Sequence, residues 1–271
     1  MGKKQAALMM TVVLLLAGCS GGNGGATGTP AGTETVTQTP ESTGELATPQ
    51  TAIAGEHPAV TNGTLEISNL VQEHLNFLRG VESFTVLNNR TFSYVENGSV
   101  SGRSVLINKG DITNQRQRLE IRAFTRDGDI ERELIRYSNA TTTCMLRDSE
   151  SQCSSGGVST REIIGSTMET TSLETVGAPA FRPDGITNRE GQSLYRYSAS
   201  EFRASLDSNT ESELYGANPT LVEATLLVHP TGRIVEYSLT YQTGSETPQE
   251  LELTYVTEAI NATTFEPVNP E

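Results

Sequence analysis

Tryptophan is absent from this chain, and beyond its fourth residue lysine occurs once, at Lys109. Thirty-three acidic residues face nineteen basic ones, for a net charge of −14, so the cations are almost all arginine. No basic stripe exists to meet a phosphate backbone, which excludes a nucleic-acid partner, and an anionic membrane surface would repel such a chain. An acid-rich, lysine-poor surface is the composition of proteins that stay soluble in molar salt, where a Debye length of about 3 Å screens self-repulsion. The composition therefore predicts a haloarchaeal protein.

Histidine is scarce as well. His57, His74 and His229 fall on three different predicted segments. The chain has no HExxH pair, no Gly-rich phosphate loop and no nucleophile elbow. The many carboxylates read as a solvated acidic skin rather than an acid/base pair. His74 sits in an apolar stripe, the setting of a packed, hydrogen-bonded core histidine. These absences predict a protein that is not an enzyme and needs neither cofactor nor metal.

Long apolar runs are missing too. Ala6 to Leu16 is the main one, shorter than the ~20 residues of a membrane-spanning helix. Lys3 and Lys4 precede it and the small residues Ala17 and Gly18 end it, the layout of a secretory signal peptide over residues 1–18. Leu16-Ala17-Gly18-Cys19 resembles a lipobox, in which the cysteine thiol carries lipid and the chain is cut before it. That resemblance predicts a lipid anchor on Cys19 and a protein held at the cell membrane, facing the exterior.

Only three cysteines occur. With Cys19 assigned to lipid, Cys144 and Cys153 remain as an even pair in an oxidising exterior, spaced to close a hairpin by a disulfide. Chain-entropy arithmetic gives such a short loop roughly 2–3 kcal/mol. A zinc site is disfavoured because no histidine lies near the two thiols. Five Asn-X-Ser/Thr sequons, at Asn62, Asn89, Asn97, Asn139 and Asn261, are glycosylation candidates on an exported chain.

Residues 19–58 hold the lipid-bearing Cys19 and then a Gly/Ser/Thr/Pro-rich linker without basic residues. Too little apolar surface is present there to offset the entropy of folding, and the coil would span roughly 35 Å. Residues 59–271 are expected to form one domain. Its first helix carries Leu70, Val71, His74, Leu75 and Leu78 on one face. Strands follow at Phe84 to Tyr94, Val105 to Ile107, Leu119 to Phe124, Ile130 to Tyr137 and Thr142 to Leu146, with Asn97-Gly98 and Asp127-Gly128 as turns. Ser159-Thr160-Arg161-Glu162 is a capping box opening a second helix through Ile163, Ile164 and Met168. Two strands near Ala180 to Asn188 and Ser193 to Tyr197 precede a short third helix capped at Ser198 to Glu201 and ending near Leu206.

The last meander alternates most clearly. One face is expected to carry Val222, Ala224, Leu226 and Val228, then Val235, Tyr237, Leu239 and Tyr241, then Leu251, Leu253 and Tyr255, with Pro230-Thr231-Gly232 as a turn. Glutamate, serine and threonine fill the other face. Such a sheet is wet on one side and covered on the other, here by helices, giving an α+β layer.

With the lipobox and spacer, the segments "LVQEHLNFLRGVESFTV" at 70–86 and "VHPTGRIVEYSLTY" at 228–241 resemble a group of haloarchaeal lipoproteins. The order of helix, long meander, inserted helices and final meander is similar to the LolA and LppX lipoprotein carriers. That resemblance implies a strongly curved antiparallel sheet, a half-barrel covered on its concave face by helices, with a cavity for acyl chains. It points to a lipid-like ligand lined by Val222, Leu226, Val235, Tyr237, Leu239, Tyr241, Leu251, Leu253 and Tyr255. The alternative is a structural or protein-interaction module of the cell envelope, in which helices fill the same face.

Overall fold

The computed structural model describes residues 57, 59–61, 64–147, 150–171, 173–203, 219–244 and 247–265, all inside the unit Thr48–Glu271. The signal segment, Cys19, Asn62, most of the expected linker and the third helix beyond residue 203 lie outside the described residues.

A two-residue hairpin, β1 (Val60–Thr61) and β2 (Thr64–Leu65), leads into helix α1 (Ile67–Gly80). Ile67, Leu70, His74 and Leu78 are its buried positions. They recur every three or four residues because one face of a 3.6-residue helix must turn inward. Helix α2 (Thr160–Thr171) opens on the expected capping box. The Ser159 hydroxyl and backbone amide both donate to Glu162 Oε2 at 2.7 Å, and the Glu162 amide donates back to Ser159 Oγ at 3.3 Å. A 3₁₀ turn at Leu173–Gly177 follows.

The remaining elements make one open, eleven-stranded antiparallel sheet. In chain order its strands are β3 (Ser83–Tyr94), β4 (Val100–Asp111), β5 (Arg116–Phe124), β6 (Ile130–Ser138), β7 (Thr142–Arg147), β8 (Glu150–Ser155), β9 (Arg182–Arg189), β10 (Gln192–Ala199), β11 (Thr220–Val228), β12 (Ile234–Gln242) and β13 (Gln249–Glu258). Their spatial order is β8-β7-β6-β5-β4-β3-β13-β12-β11-β10-β9. Two meanders therefore join at the centre, where the first long strand pairs with the last over ten residues. Strands β8 and β9 are the two outer edges, and the chain passes from one to the other through α2 and the 3₁₀ turn.

Cross-strand partners share a face, so the register defines an inner face. From β10 to β6 one row runs Tyr197, Leu226, Tyr237, Tyr255, Asn88, Leu106, Ile121, Leu134. The hydrophobic core gathers the β10–β13 and β3 part of this face, including Phe84 and Val86, with Leu70 and Leu78 of α1 and Ile163 and Ile164 of α2. Gly110 makes the helix–sheet approach possible. A Cβ there would stand 2.5 Å from Phe84 Cζ and 2.8 Å from Ile163 Cγ2.

Two expectations change. Val222 is 45% exposed, while Leu221 is buried. A bulge between Leu221 and Glu223 shifts the side-chain parity of β11, so Leu221 takes the inward place assigned to Val222. Ser198 and Ala199 continue β10 rather than capping a helix, and Phe202 bridges back to Pro179. His57, expected at the end of the linker, is buried, with its ring 5.1 Å from that of Tyr195.

Candidate functional site

Among the described residues, α1 and the 3₁₀ turn meet the C-terminal half of the inner face. The Ile234 amide, set beside a bulge in the β11–β12 ladder, donates to His74 Nδ1 at 3.2 Å. That makes Nδ1 the acceptor and places the ring proton on Nε2, which donates to Tyr255 Oη at 2.7 Å. Thr257 Oγ1 lies 3.3 Å from Tyr255 Oη and donates to the Ile234 carbonyl at 2.8 Å. The chain of bonds starts and ends on Ile234. Burial holds the His74 imidazole down at about 3, with the Arg233 guanidinium adding to the effect, so the ring is neutral. Tyr237 meets the 3₁₀ turn, its hydroxyl 3.3 Å from the Thr175 carbonyl. Burial raises the pKa of both tyrosines.

The expected lining residues divide accordingly. Leu226, Tyr237, Leu239, Leu253 and Tyr255 are packed core, together with Tyr241 and Leu251 toward one end of their strands. Burial pushes the Tyr241 hydroxyl up to about 12, opposed by the nearby Arg90 charge. Val235 is buried beside Ile234, and Val222 is on the solvent side.

Past α2 the same face continues with a different character. Helix α2 packs on β3 and β4. Its Thr167 and Ser166 hydroxyls meet the buried Asn108 side chain at 3.3 and 3.5 Å. Gln117 donates to Asn108 Oδ1 at 3.0 Å and also to Ser166 Oγ, and Arg136 donates to Gln117 Oε1 at 3.1 Å. This polar seam borders the hydrophobic core among the described residues. Beyond it lies an apolar stripe, Leu106, Ile121 and Leu134, with Met145 on the neighbouring row. All four are half-buried and none belongs to the core cluster. Sequence reading did not single them out, because β4 to β6 carry apolar residues on both faces. Ile107 and Ile135 point the other way, separated by Glu120 in an Arg118–Glu120–Arg122–Glu133 ion network.

No group of three or more metal-ligating side chains occurs among the described residues. The three histidines stay apart in function. His74 is locked in its network, and His57 Nδ1 accepts from the Ala59 amide at 3.1 Å. His229 Nδ1 lies 2.9 Å from Thr231 Oγ1 in the β11–β12 turn.

A family model matches residues 4–270. The chain belongs to the family of unknown function DUF7537. Among curated proteins no sequence matches it. Similar solved structures include LprF from Mycobacterium bovis, at 12% identity and a TM-score of 0.41 over 75% of this chain and 96% of that one. The Mycobacterium tuberculosis lipoprotein LppX gives 12% identity and 0.39 over 75% and 97%. A LolA superfamily protein from Nitrosomonas europaea gives 8% and 0.25 over 74% and 94%. At TM-scores below 0.5 these superpositions are loose, and function must be read from the chain's own side chains.

Cys144 and Cys153 are cross-strand partners in the β7–β8 hairpin, and their sulfur atoms are bonded, with Cα atoms 4.0 Å apart. Every residue of β8 is exposed, so the bond secures an edge that has no core beneath it. Four of the five sequons fall on described residues. Asn97 and Asn139 sit in turns, each side-chain oxygen accepting the amide two residues on at 2.9 Å. Asn89 lies within β3 and accepts from Arg103 Nε, while Asn261 accepts the Glu82 amide. No described helix is long and apolar enough to cross a membrane.

Proposed function

We propose that this protein is a non-enzymatic lipoprotein that holds a lipid-like apolar molecule against the inner face of β4 to β7, beside α2. The observation that carries this reading is the half-buried stripe Leu106, Ile121 and Leu134, which extends the apolar inner face beyond the protein's own core. Each fully buried aliphatic side chain contributes about 1.5–3 kcal/mol, so covering this stripe is a sizeable gain still open to a ligand. In this account the sheet curves around α1 and α2 as a half-barrel, the helices fill one part of its concave face, and the ligand takes the rest. The lining therefore moves from Tyr237 and Tyr255, which the helices occupy, to Leu106, Ile121, Leu134 and Met145.

Export through the signal segment and a lipid on Cys19 would hold the domain outside the cell membrane of a haloarchaeal cell, with the linker as its tether. The test is binding of an environment-sensitive fluorescent acyl probe to the purified chain. Ile121→Asp and Leu134→Asp are expected to remove binding with the far-ultraviolet circular dichroism unchanged, since neither site is core. Full binding by both variants would overturn the placement.

A further inference from the structure

Among the large hydrophobic side chains exposed in the described residues, Val95 and Val100 share one place, the turn that joins β3 to β4. Asn97-Gly98-Ser99, one of the sequons, lies between them. The turn is closed by its own backbone. The Tyr94 amide donates to the Ser99 carbonyl at 3.0 Å, and the Gly98 amide donates to the Tyr94 carbonyl at 2.7 Å. Gly98 takes a φ of 65°, which glycine adopts without strain, and a Cβ there would meet nothing within 4 Å. Asn97 is exposed, and its Oδ1 accepts the Ser99 amide at 2.9 Å. That bond engages only the side-chain oxygen. The Asn97 Nδ2 group has no partner among the described residues.

The third residue of this sequon has no duty in the fold. Ser99 Oγ is buried and makes no hydrogen bond among the described residues. A buried hydroxyl without a partner costs stability, so alanine would serve the turn better. What requires a hydroxyl at this position is the Asn-X-Ser/Thr pattern itself. The other described sequons are committed elsewhere. Asn89 sits inside β3, paired with Thr254 on one side and Val105 on the other, and its Oδ1 accepts from Arg103 Nε at 3.1 Å. Asn139 is half-buried, and its Oδ1 accepts the Thr141 and Thr142 amides and the Thr141 hydroxyl. The backbone of that turn, at Ala140, is packed against Gly157. Asn261 Oδ1 accepts the Glu82 amide at 2.8 Å, and Thr263 Oγ1 donates to the Ala259 carbonyl at 3.0 Å, so both ends of this sequon are tied into the fold.

We propose that Asn97, alone among the four described sequons, is a glycosylation site, and that its sugar screens Val95 and Val100. The inference rests on the export proposed above. The sequon is read on the open chain, where Ser99 is accessible, and the folded turn then holds the sugar out in solvent. Asn97 Nδ2 attacks the anomeric carbon of a sugar joined through phosphate to a membrane polyisoprenoid. The N–C bond forms, and the C–O bond to phosphate breaks with its electron pair leaving on the phosphate oxygen. Nδ2 gives one proton to a base of the transferring enzyme. A hydrated sugar at this turn denies the two valines to other protein surfaces.

The test is a peptide map, by tandem mass spectrometry, of the full chain purified from the cells that make it, with the variants Asn97→Gln and Ser99→Ala beside it. Sugar is expected on Asn97 in most copies and absent from Asn89, Asn139 and Asn261. Both variants are expected to lose that mass and to keep the far-ultraviolet circular dichroism of the natural chain. In light scattering they are expected to self-associate at lower protein concentration. A bare Asn97 in a chain that has lost residues 1–18 overturns this inference and leaves export standing. A chain that retains those residues and is bare throughout overturns the export reading and this inference with it. Sugar on Asn89, Asn139 or Asn261 overturns the choice of Asn97 alone. Variants that associate no more than the natural chain overturn the screening role.

Discussion

His74 on α1 and Tyr255 on the last strand meet at 2.7 Å although 181 residues separate them in the chain. This bond ties the first helix to the centre of the sheet at a site without access to water, since both residues are fully buried. Tyr255→Phe removes the acceptor and strands the His74 Nε2 proton. A buried donor left unpaired costs about 1–3 kcal/mol. Urea denaturation is expected to show a lower midpoint with an unchanged slope. A Tyr241→Phe control, at a hydroxyl outside this network, is expected to cost less.

The same histidine makes stability depend on pH. Its folded-state pKa of about 3 lies below the ordinary 6.5. Between those values the unfolded chain binds a proton that the folded chain refuses, so stability falls as pH falls. The contribution is complete above pH 6.5 and declines by at most about 1.4 kcal/mol per pH unit below it. Burial lowers His57 and His229 in the same direction. Thermal unfolding at pH 7.5 and pH 5 is expected to show a marked drop in Tm. His74→Gln is expected to be less stable at pH 7.5 and to show a shallower drop.

Two glycines should respond in opposite ways to alanine. At Gly110 the added methyl would collide with Phe84 and Ile163, and overpacking a tight site costs about 1–3 kcal/mol. At Gly165, exposed on α2 with nothing within 4 Å of the new Cβ, alanine lowers the entropy cost of the helix. It should stabilise by about 0.5–1 kcal/mol. Chemical denaturation of the two single variants checks both signs.

Much of this fold can be read from residue spacing, and the exceptions have physical causes. The α1 stripe and the α2 capping box are local patterns, and both stand in the structure as their spacing predicts. Val222 misleads because a single bulge reverses parity, which alternation alone cannot reveal. Strand β8, "ESQCSS", has no apolar alternation, and only the cysteine spacing pointed to its hairpin. The pairing of β13 with β3 joins the two ends of the domain and leaves no local trace. The candidate ligand stripe is hidden for another reason: Leu106 next to Ile107, and Leu134 next to Ile135, put apolar residues on both faces and blur the period of two.

Removal of the disulfide should act locally. In Cys144→Ser with Cys153→Ser, the lost loop constraint of roughly 2–3 kcal/mol falls on an exposed edge hairpin outside the hydrophobic core. Hydrogen exchange is expected to lose protection in β7 and β8 while β3 and β13 keep theirs. Loss of protection across the whole sheet would mean that the bond supports the core.

The most direct test of the central claim is to purify the protein from the cells that make it, extract what it carries and identify that material by mass spectrometry. The account predicts a stoichiometric lipid distinct from any covalently attached at Cys19, retained by the natural chain and absent from Ile121→Asp. Native protein that carries no such lipid, and takes none up when it is offered, would contradict the account and leave a structural module of the envelope in its place.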